Sequence, residues 1–165
     1  LGLDQPANTP VEVKLIQRTA AIMLQQFKIL KSDGTEYDNV EITGLSLLNS
    51  KTIGQVAGEV SSGEQLYGVQ SVNDTTERLY SYENTSSSQP TTLKIDYVYN
   101  NGEIGSCSFP IKSRLKEISD PSIAVWAGYL YKLEVTLRNA TVDVAVQCVT
   151  QDWIFDKDHE FEFTF

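Results

Sequence analysis

Apolar and polar residues alternate most regularly between Tyr129 and Cys148. Nearly every second residue is apolar there, first from Tyr129 to Leu137 and then from Val142 to Cys148. Because successive side chains of a strand point to opposite faces, the pattern predicts two strands, each with one apolar and one polar face. A two-residue corner at 139–140 would join them into an antiparallel hairpin. The predicted cross-strand pairs are Leu137 with Val142, Val135 with Val144, Leu133 with Val146 and Tyr131 with Cys148.

A second hairpin is predicted around an Asn-Asn-Gly turn that ends at Gly102. A two-residue turn would pair Asp96 with Cys107 and leave the thiol on the polar face. A three-residue turn, with Gly102 in the left-handed conformation, would instead pair Ile95 with Cys107. We favour the three-residue turn, because it places both Cys107 and Phe109 on the apolar face.

The two cysteines, Cys107 and Cys148, both face the core in these registers. We therefore expect their Cα atoms to lie within about 7 Å of each other, close enough for a disulfide. Such a bond would close a loop that the chain-entropy model values at about 4 kcal/mol. Two separate buried thiols that behave as small hydrophobic side chains are an equally good interpretation.

The rest of the chain predicts strands and only one helical turn, around Leu115 to Ile118. The apolar stretch from Arg18 to Leu30 suits a strand better than a helix, because a turn that ends at Gly34 follows it. After Gly44 the apolar phase shifts by one residue, which indicates a bulge.

The domain organisation predicted from these patterns is simple. Residues 1–10 contain two prolines and form an N-terminal tail, and residues 11–165 form one β-sandwich domain. The polar, breaker-rich segment 83–90 is the best candidate for a subdomain seam. The sequence is compatible both with one sandwich and with two very small domains.

The last predicted strand has three phenylalanines on one face. At about 25 cal/mol per Å² of apolar surface, burial of each ring is worth roughly 1.5 to 3 kcal/mol, so this strand must dock somewhere. It docks either in its own sandwich, which we slightly favour for an isolated chain, or in the groove of a neighbour. The candidate assembly strand consists of Glu160, Phe161, Glu162, Phe163, Thr164 and Phe165.

Charge and length narrow the classes of partner. The 165 residues include 22 acidic and 13 basic side chains, for a net charge of −9 and a pI near 4.5. This field repels phosphate backbones and anionic lipids, so nucleic acid is not an expected partner. No run of apolar residues is long enough to span a bilayer, so the sequence predicts no transmembrane segment. Because the first residue is Leu, we expect a processed mature form.

Residues that carry chemistry are few, which predicts a protein that is not an enzyme and has no cofactor or metal. The sequence has a single histidine, His159, and no nucleophile in a strained, glycine-flanked turn for which it could act as the base. Asp156, Asp158 and Glu160 stand at alternate positions and offer oxygen ligands of the kind that calcium binds. We interpret them as a solvated turn, because the run lacks the glycine of a calcium loop. Trp126 is the best candidate for stacking on a ligand.

Several short motifs, in order, resemble the fimbrillin-like proteins of Bacteroidetes, which form type V pili and surface adhesins. The similarity covers about Val11 to Trp153. The motifs are Arg18-Thr19-Ala20-Ala21-Ile22, Tyr82-Glu83-Asn84, Leu93-Lys94-Ile95-Asp96-Tyr97 and Ala127-Gly128-Tyr129-Leu130-Tyr131. The resemblance implies an all-β, antiparallel Greek-key β-sandwich of transthyretin-like type. It also implies secretion by a lipoprotein route, processing near the N-terminus and assembly by donor-strand exchange.

The function predicted from pattern and resemblance together is that of a surface or pilus structural and adhesion protein that assembles by β-strand exchange. The expected partners are other pilus or surface subunits and a host protein or glycan receptor. The expected location is the cell surface, outer-membrane associated or extracellular in a fimbrium. The alternative is a glycan-binding β-sandwich module of a cell-surface polysaccharide system.

Overall fold

The computed structural model describes residues 18–52, 67–112, 124–138 and 141–150. These residues form strands and no helix. The N-terminal tail, the helical turn around Leu115 to Ile118, the acidic run before His159 and the terminal strand 160–165 lie outside the described residues. The strands are β1 (Thr19–Leu30), β2 (Glu41–Lys51), β3 (Tyr67–Val72), β4 (Leu79–Tyr82), β5 (Thr92–Val98), β6 (Ile104–Pro110), β7 (Tyr129–Arg138) and β8 (Thr141–Thr150).

The described strands form two four-stranded sheets, in the orders β4-β1-β7-β8 and β3-β2-β5-β6. One hydrophobic cluster contains residues of both sheets, for example Ile22 and Leu133 from the first and Leu47 and Ile95 from the second. The apolar faces therefore pack against each other across a shared core, as the alternating patterns predict. The protein is an all-β sandwich.

One strand pairing differs from the predicted antiparallel arrangement. Strand β1 runs parallel to β7, with Ala21 opposite Leu130 and Ile29 opposite Leu137. Parallel neighbours need a long connection, and β2 to β6 lie between these two strands in the chain. The other described pairings of named strands are antiparallel. The Greek-key and transthyretin-like details stay predictions.

Both predicted hairpin registers are confirmed. In the β7–β8 hairpin Leu137 lies opposite Val142, and Tyr131 lies opposite Cys148. In the β5–β6 hairpin Ile95 lies opposite Cys107, as the three-residue turn requires. Gly102 has a φ of 84°, a left-handed conformation that glycine adopts without the cost of a Cβ.

One bulge and one further turn also follow the sequence pattern. The β2–β5 register shifts between Ile42 and Gly44, which confirms the bulge that the change of apolar phase predicted. After β1 the chain turns through Gly34, whose φ is 87°, and returns to a single bridge between Leu30 and Glu36. This short return places Tyr37 beside the end of β1, where its amide donates to the carbonyl of Ile29 at 2.8 Å.

Segment 83–90 carries the chain from β4 in one sheet to β5 in the other, and Asn84 fixes its path. This side chain is 3% exposed, and its amide nitrogen donates to the carbonyl of Gln89 at 2.9 Å and to Oγ1 of Thr91 at 3.0 Å. Its backbone also exchanges two hydrogen bonds with Val125. Polar groups buried at this crossing are therefore satisfied by each other. The seam itself stays a prediction.

Candidate functional site

The two long sides of the sandwich are built differently. On the β4 side, hydrogen bonds tie the sheets together: Ser50 Oγ donates to the carbonyl of Tyr80 at 2.9 Å, and the amide of Lys51 donates to Ser81 Oγ at 3.0 Å. On the other side, β6 pairs only with β5 and β8 only with β7 among the described strands. The described part of the chain therefore leaves two strand edges facing one seam.

An apolar groove lies in that seam. Its walls are Phe109 and Pro110 from β6, Val142 and Val144 from β8, and Lys112 beyond β6; these residues define the edge groove. Its volume is about 260 Å³, which is below the usual range for small-molecule sites. Phe109 is buried, but Val142 and Val144 are only half-buried. A strand with apolar side chains at alternate positions would fit such a groove better than a compact ligand.

Strand β8 presents two different faces at this edge. Val142 and Val144 face the groove, whereas Thr141, Asp143 and Ala145 are exposed on the outer face. The alternation read from the sequence produces this difference, because neighbouring residues of a strand lie on opposite sides of the sheet. Adjacent positions can therefore be changed to test the two faces separately.

Cys107 lies in β6 on the core side and is buried as a free thiol in this structure. Burial, and next the negative charge of Asp96, raise the pKa of this thiol to about 11. A thiol that stays protonated at neutral pH is a poor nucleophile and a poor metal ligand. The backbone of Cys148 pairs with Tyr131, but its side chain lies outside the described part. The disulfide between the two cysteines stays a prediction.

Trp126 is half-buried, and its indole Nε1 is buried without a hydrogen-bond partner in the described part of the chain. Its backbone amide donates to the Tyr131 hydroxyl at 2.7 Å. The neighbouring Gly128, with a φ of 81°, donates to the carbonyl of Thr19 at 3.0 Å. These contacts hold the segment against β1 and β7. A ligand-stacking role for Trp126 stays a prediction.

A second concavity, here called the tyrosine pocket, lies between the turn after β1 and the tip of the β5–β6 hairpin. Its volume is about 560 Å³, within the range of small-molecule sites. Both turns owe their shape to a left-handed glycine, Gly34 in one and Gly102 in the other. The residues that line it are Lys31, Tyr37, Asp38, Tyr99, Asn100, Asn101 and Glu103.

A chain of ring contacts joins the tyrosine pocket to the core. Phe27 packs on Tyr97 with ring centroids 5.3 Å apart, and Tyr97 meets Tyr99 edge-on at 5.5 Å. Tyr99 then meets Tyr37 at 5.3 Å, and the ammonium of Lys31 lies 5.3 Å from the centre of the Tyr37 ring. Such tilted and edge-on pairs suit the quadrupoles of aromatic rings. Sequence reasoning missed Tyr37, because it follows a turn and belongs to no alternating run.

Tyr97 is the buried member of this chain of rings. Burial, and then its hydrogen bond with Tyr99, raise the pKa of the Tyr97 hydroxyl to about 12. Its ring lies across Gly105, the residue opposite it in β6, where a Cβ would overlap the ring and its hydroxyl. The absence of a side chain at Gly105 is therefore what lets Tyr97 take this position.

The described residues contain no cluster of three or more His, Cys, Asp or Glu side chains that could hold a metal ion. His159 and its acidic neighbours are not among those residues. Within the same limits, the fold has no helix long and apolar enough to cross a membrane. The described surface therefore has two candidate binding sites, the edge groove and the tyrosine pocket.

No family model matches the chain, and no curated protein matches its sequence. The fold is similar to a crystal structure of a "putative cell adhesion protein" from Parabacteroides distasonis. The TM-score is 0.53 and the identity 17%, and the match covers 81% of this chain and 52% of that one. Similarity at this level establishes the fold.

Two other solved structures match with lower TM-scores. The tip fimbrial protein Mfa3 from Porphyromonas gingivalis gives 0.49 at 14% identity, over 84% of this chain and 53% of that one. A second "putative cell adhesion protein", from Bacteroides uniformis, gives 0.38 at 12% identity, over 82% and 51%. The chain thus spans about half the length of each of these three solved structures. The β-sandwich shared with the Parabacteroides distasonis protein agrees with the all-β sandwich that the resemblance to the fimbrillin-like proteins implies, and membership of that family stays a prediction.

Proposed function

We propose that this protein is a non-enzymatic surface adhesion or pilus subunit that assembles with other subunits by β-strand exchange. The fold that it shares with the "putative cell adhesion protein" of Parabacteroides distasonis supports the general role. The edge groove is the observation that carries the strand-exchange step, because it combines apolar walls with two strand edges that pair with no further described strand. Such a protein works at the cell surface or in an extracellular fimbrium.

The terminal strand 160–165 is the segment that we propose as the donor. Its three phenylalanines at alternate positions match a groove that offers apolar contacts from Phe109 and Pro110 on one wall and from Val142 and Val144 on the other. Backbone hydrogen bonds to the free edge of β6 or β8 would supply affinity, and the rings would supply specificity. A strand donated by a neighbouring subunit would bury these rings between two protomers.

The test is deletion of Phe161 to Phe165, followed by addition of a synthetic peptide that spans residues 159–165. We expect the shortened protein to keep its melting temperature, to lose self-association in sedimentation velocity, and to bind the peptide. These results follow if the strand serves a neighbour, because the donor's own core does not need it.

Two results would contradict the proposal. A lower melting temperature with unchanged self-association would mean that the strand completes its own sandwich. Deletion that changes neither property would mean that the segment makes no adhesive edge at all. In the second case the general adhesion role would have to rest on another surface.

A further inference from the structure

We propose that the tyrosine pocket is a binding site for a neutral saccharide. This inference goes beyond assembly by strand exchange, because the pocket shares no lining residue with the edge groove. Its failure would leave the strand-exchange proposal untouched.

The aromatic part of the pocket is rigid and partly open to solvent. Tyr37 is 41% exposed, and its ring is set at 62° to that of Tyr99. Tyr99 is itself braced by the buried Tyr97, so neither ring has to be ordered when a ligand arrives. Apolar C–H faces of a sugar ring pack favourably on aromatic rings, which supply contact area at low entropic cost.

The polar part of the pocket surrounds these rings with exposed groups that are available to a ligand. Asp38, Asn100 and Glu103 make no side-chain hydrogen bond to any described residue. Asn101 accepts a hydrogen bond from the amide of Glu103 at 3.0 Å, which fixes its side chain at the rim. Amides both donate and accept, and carboxylates accept, so together they match the hydroxyl groups of a sugar.

The charges of the pocket select among saccharides. Asp38 and Glu103 repel an acidic sugar, and the net charge of −9 on the whole chain adds to that repulsion. The ammonium of Lys31, held over Tyr37, already occupies the position that a cationic ligand would seek on that ring. An uncharged ligand with many hydroxyl groups avoids both conflicts.

The size of the pocket is consistent with a short saccharide. Its volume of about 560 Å³ is more than twice the 260 Å³ of the edge groove. The site is wide and shallow, since Asp38, Asn100, Asn101 and Glu103 are all exposed. Such a site suits the end of a chain of sugars displayed on a surface rather than a small molecule that must be fully enclosed.

The experiment is an NMR titration of the full chain with glucose, galactose, mannose, N-acetylglucosamine and cellobiose. Glucosamine, sialic acid and a lysine-rich peptide serve as charged comparisons. We expect at least one neutral sugar to shift amide resonances of residues 31–38 and 99–103. The Tyr37→Ala variant should weaken that binding about fivefold or more, because a stacking face is lost.

The matched control is Tyr80→Ala. Tyr80 is 42% exposed, against 41% for Tyr37, but it lies in β4 opposite Ala21, at the other end of β1. This variant should bind the sugar as the natural chain does. Saccharide binding is overturned if no neutral sugar shifts these resonances, if both tyrosine variants weaken binding equally, or if only a charged probe binds.

Discussion

At the scale of single residues, Gly105 and Tyr97 form a closely packed pair. The Tyr97 ring lies over Gly105 and is held from two other sides by Phe27 and Tyr99. It therefore cannot move aside to admit a methyl group. The same ring supports Tyr99 in the wall of the tyrosine pocket, so one glycine affects both the core and the site.

Gly105→Ala should lower the free energy of unfolding by about 1 to 3 kcal/mol, the usual cost of overpacking a filled core. Chemical denaturation measures this change. Gly44→Ala is the matched control, because a Cβ there would meet nothing within 4 Å and φ is not positive. If both variants unfold at the same denaturant concentration, Tyr97 is not held as described.

The stability of the protein should fall at alkaline pH because of Tyr97. Its pKa is raised to about 12 in the folded state against 10.0 for a free tyrosine, mainly by burial. Below pH 10 the Tyr97 hydroxyl keeps its proton in both the folded and the unfolded state, so its ionisation does not reduce the free energy of unfolding. As the pH rises from 10 toward 12, the hydroxyl ionises in the unfolded state first, and the free energy of unfolding falls. Thermal unfolding should show a shallower decline in this window for Tyr97→Phe. An identical decline would contradict the buried hydroxyl.

At the scale of elements, the sequence predicted the hairpins well because local patterns determine them. The alternation on both sides of the turn at Gly102, and the need to keep Cys107 inside, were enough to choose the register. The parallel pairing of β1 with β7 was missed, because no local pattern in either strand specifies a partner far away in the chain. The tyrosine pocket was missed for the same reason, since two distant turns bring Tyr37 to Tyr99.

The crossing from β4 to β5 should depend on Asn84. Its side chain donates to Gln89 and Thr91, and its Oδ1 accepts from the amide of Ser86 at 3.0 Å. Asn84→Ala would leave buried groups unpaired and should cost about 1 to 3 kcal/mol of stability. The exposed Ser88, in the same segment, supplies the control Ser88→Ala. Equal midpoints for the two variants in urea denaturation would show that the network adds no stability.

At the scale of the whole molecule, the described strands join the two sheets on one side of the sandwich and leave the edges of β6 and β8 without a described partner on the other. Hydrogen bonds join β2 to β4 across the two sheets, whereas β6 and β8 flank the edge groove. An open pair of edges invites an added strand, and the acidic surface disfavours non-specific association. Under the proposed strand exchange, subunits join at the edge groove rather than through the general surface.

The most direct test of this claim compares Val144→Lys with Ala145→Lys in sedimentation velocity. The first variant puts an ammonium into the edge groove beside Lys112, and the second puts the same group on the exposed face opposite Glu134. We predict that Val144→Lys weakens self-association by about tenfold or more, since a charge would be buried among apolar groups. Ala145→Lys should associate as the natural chain does. Equal association of the two variants with the natural chain would contradict strand exchange at this groove.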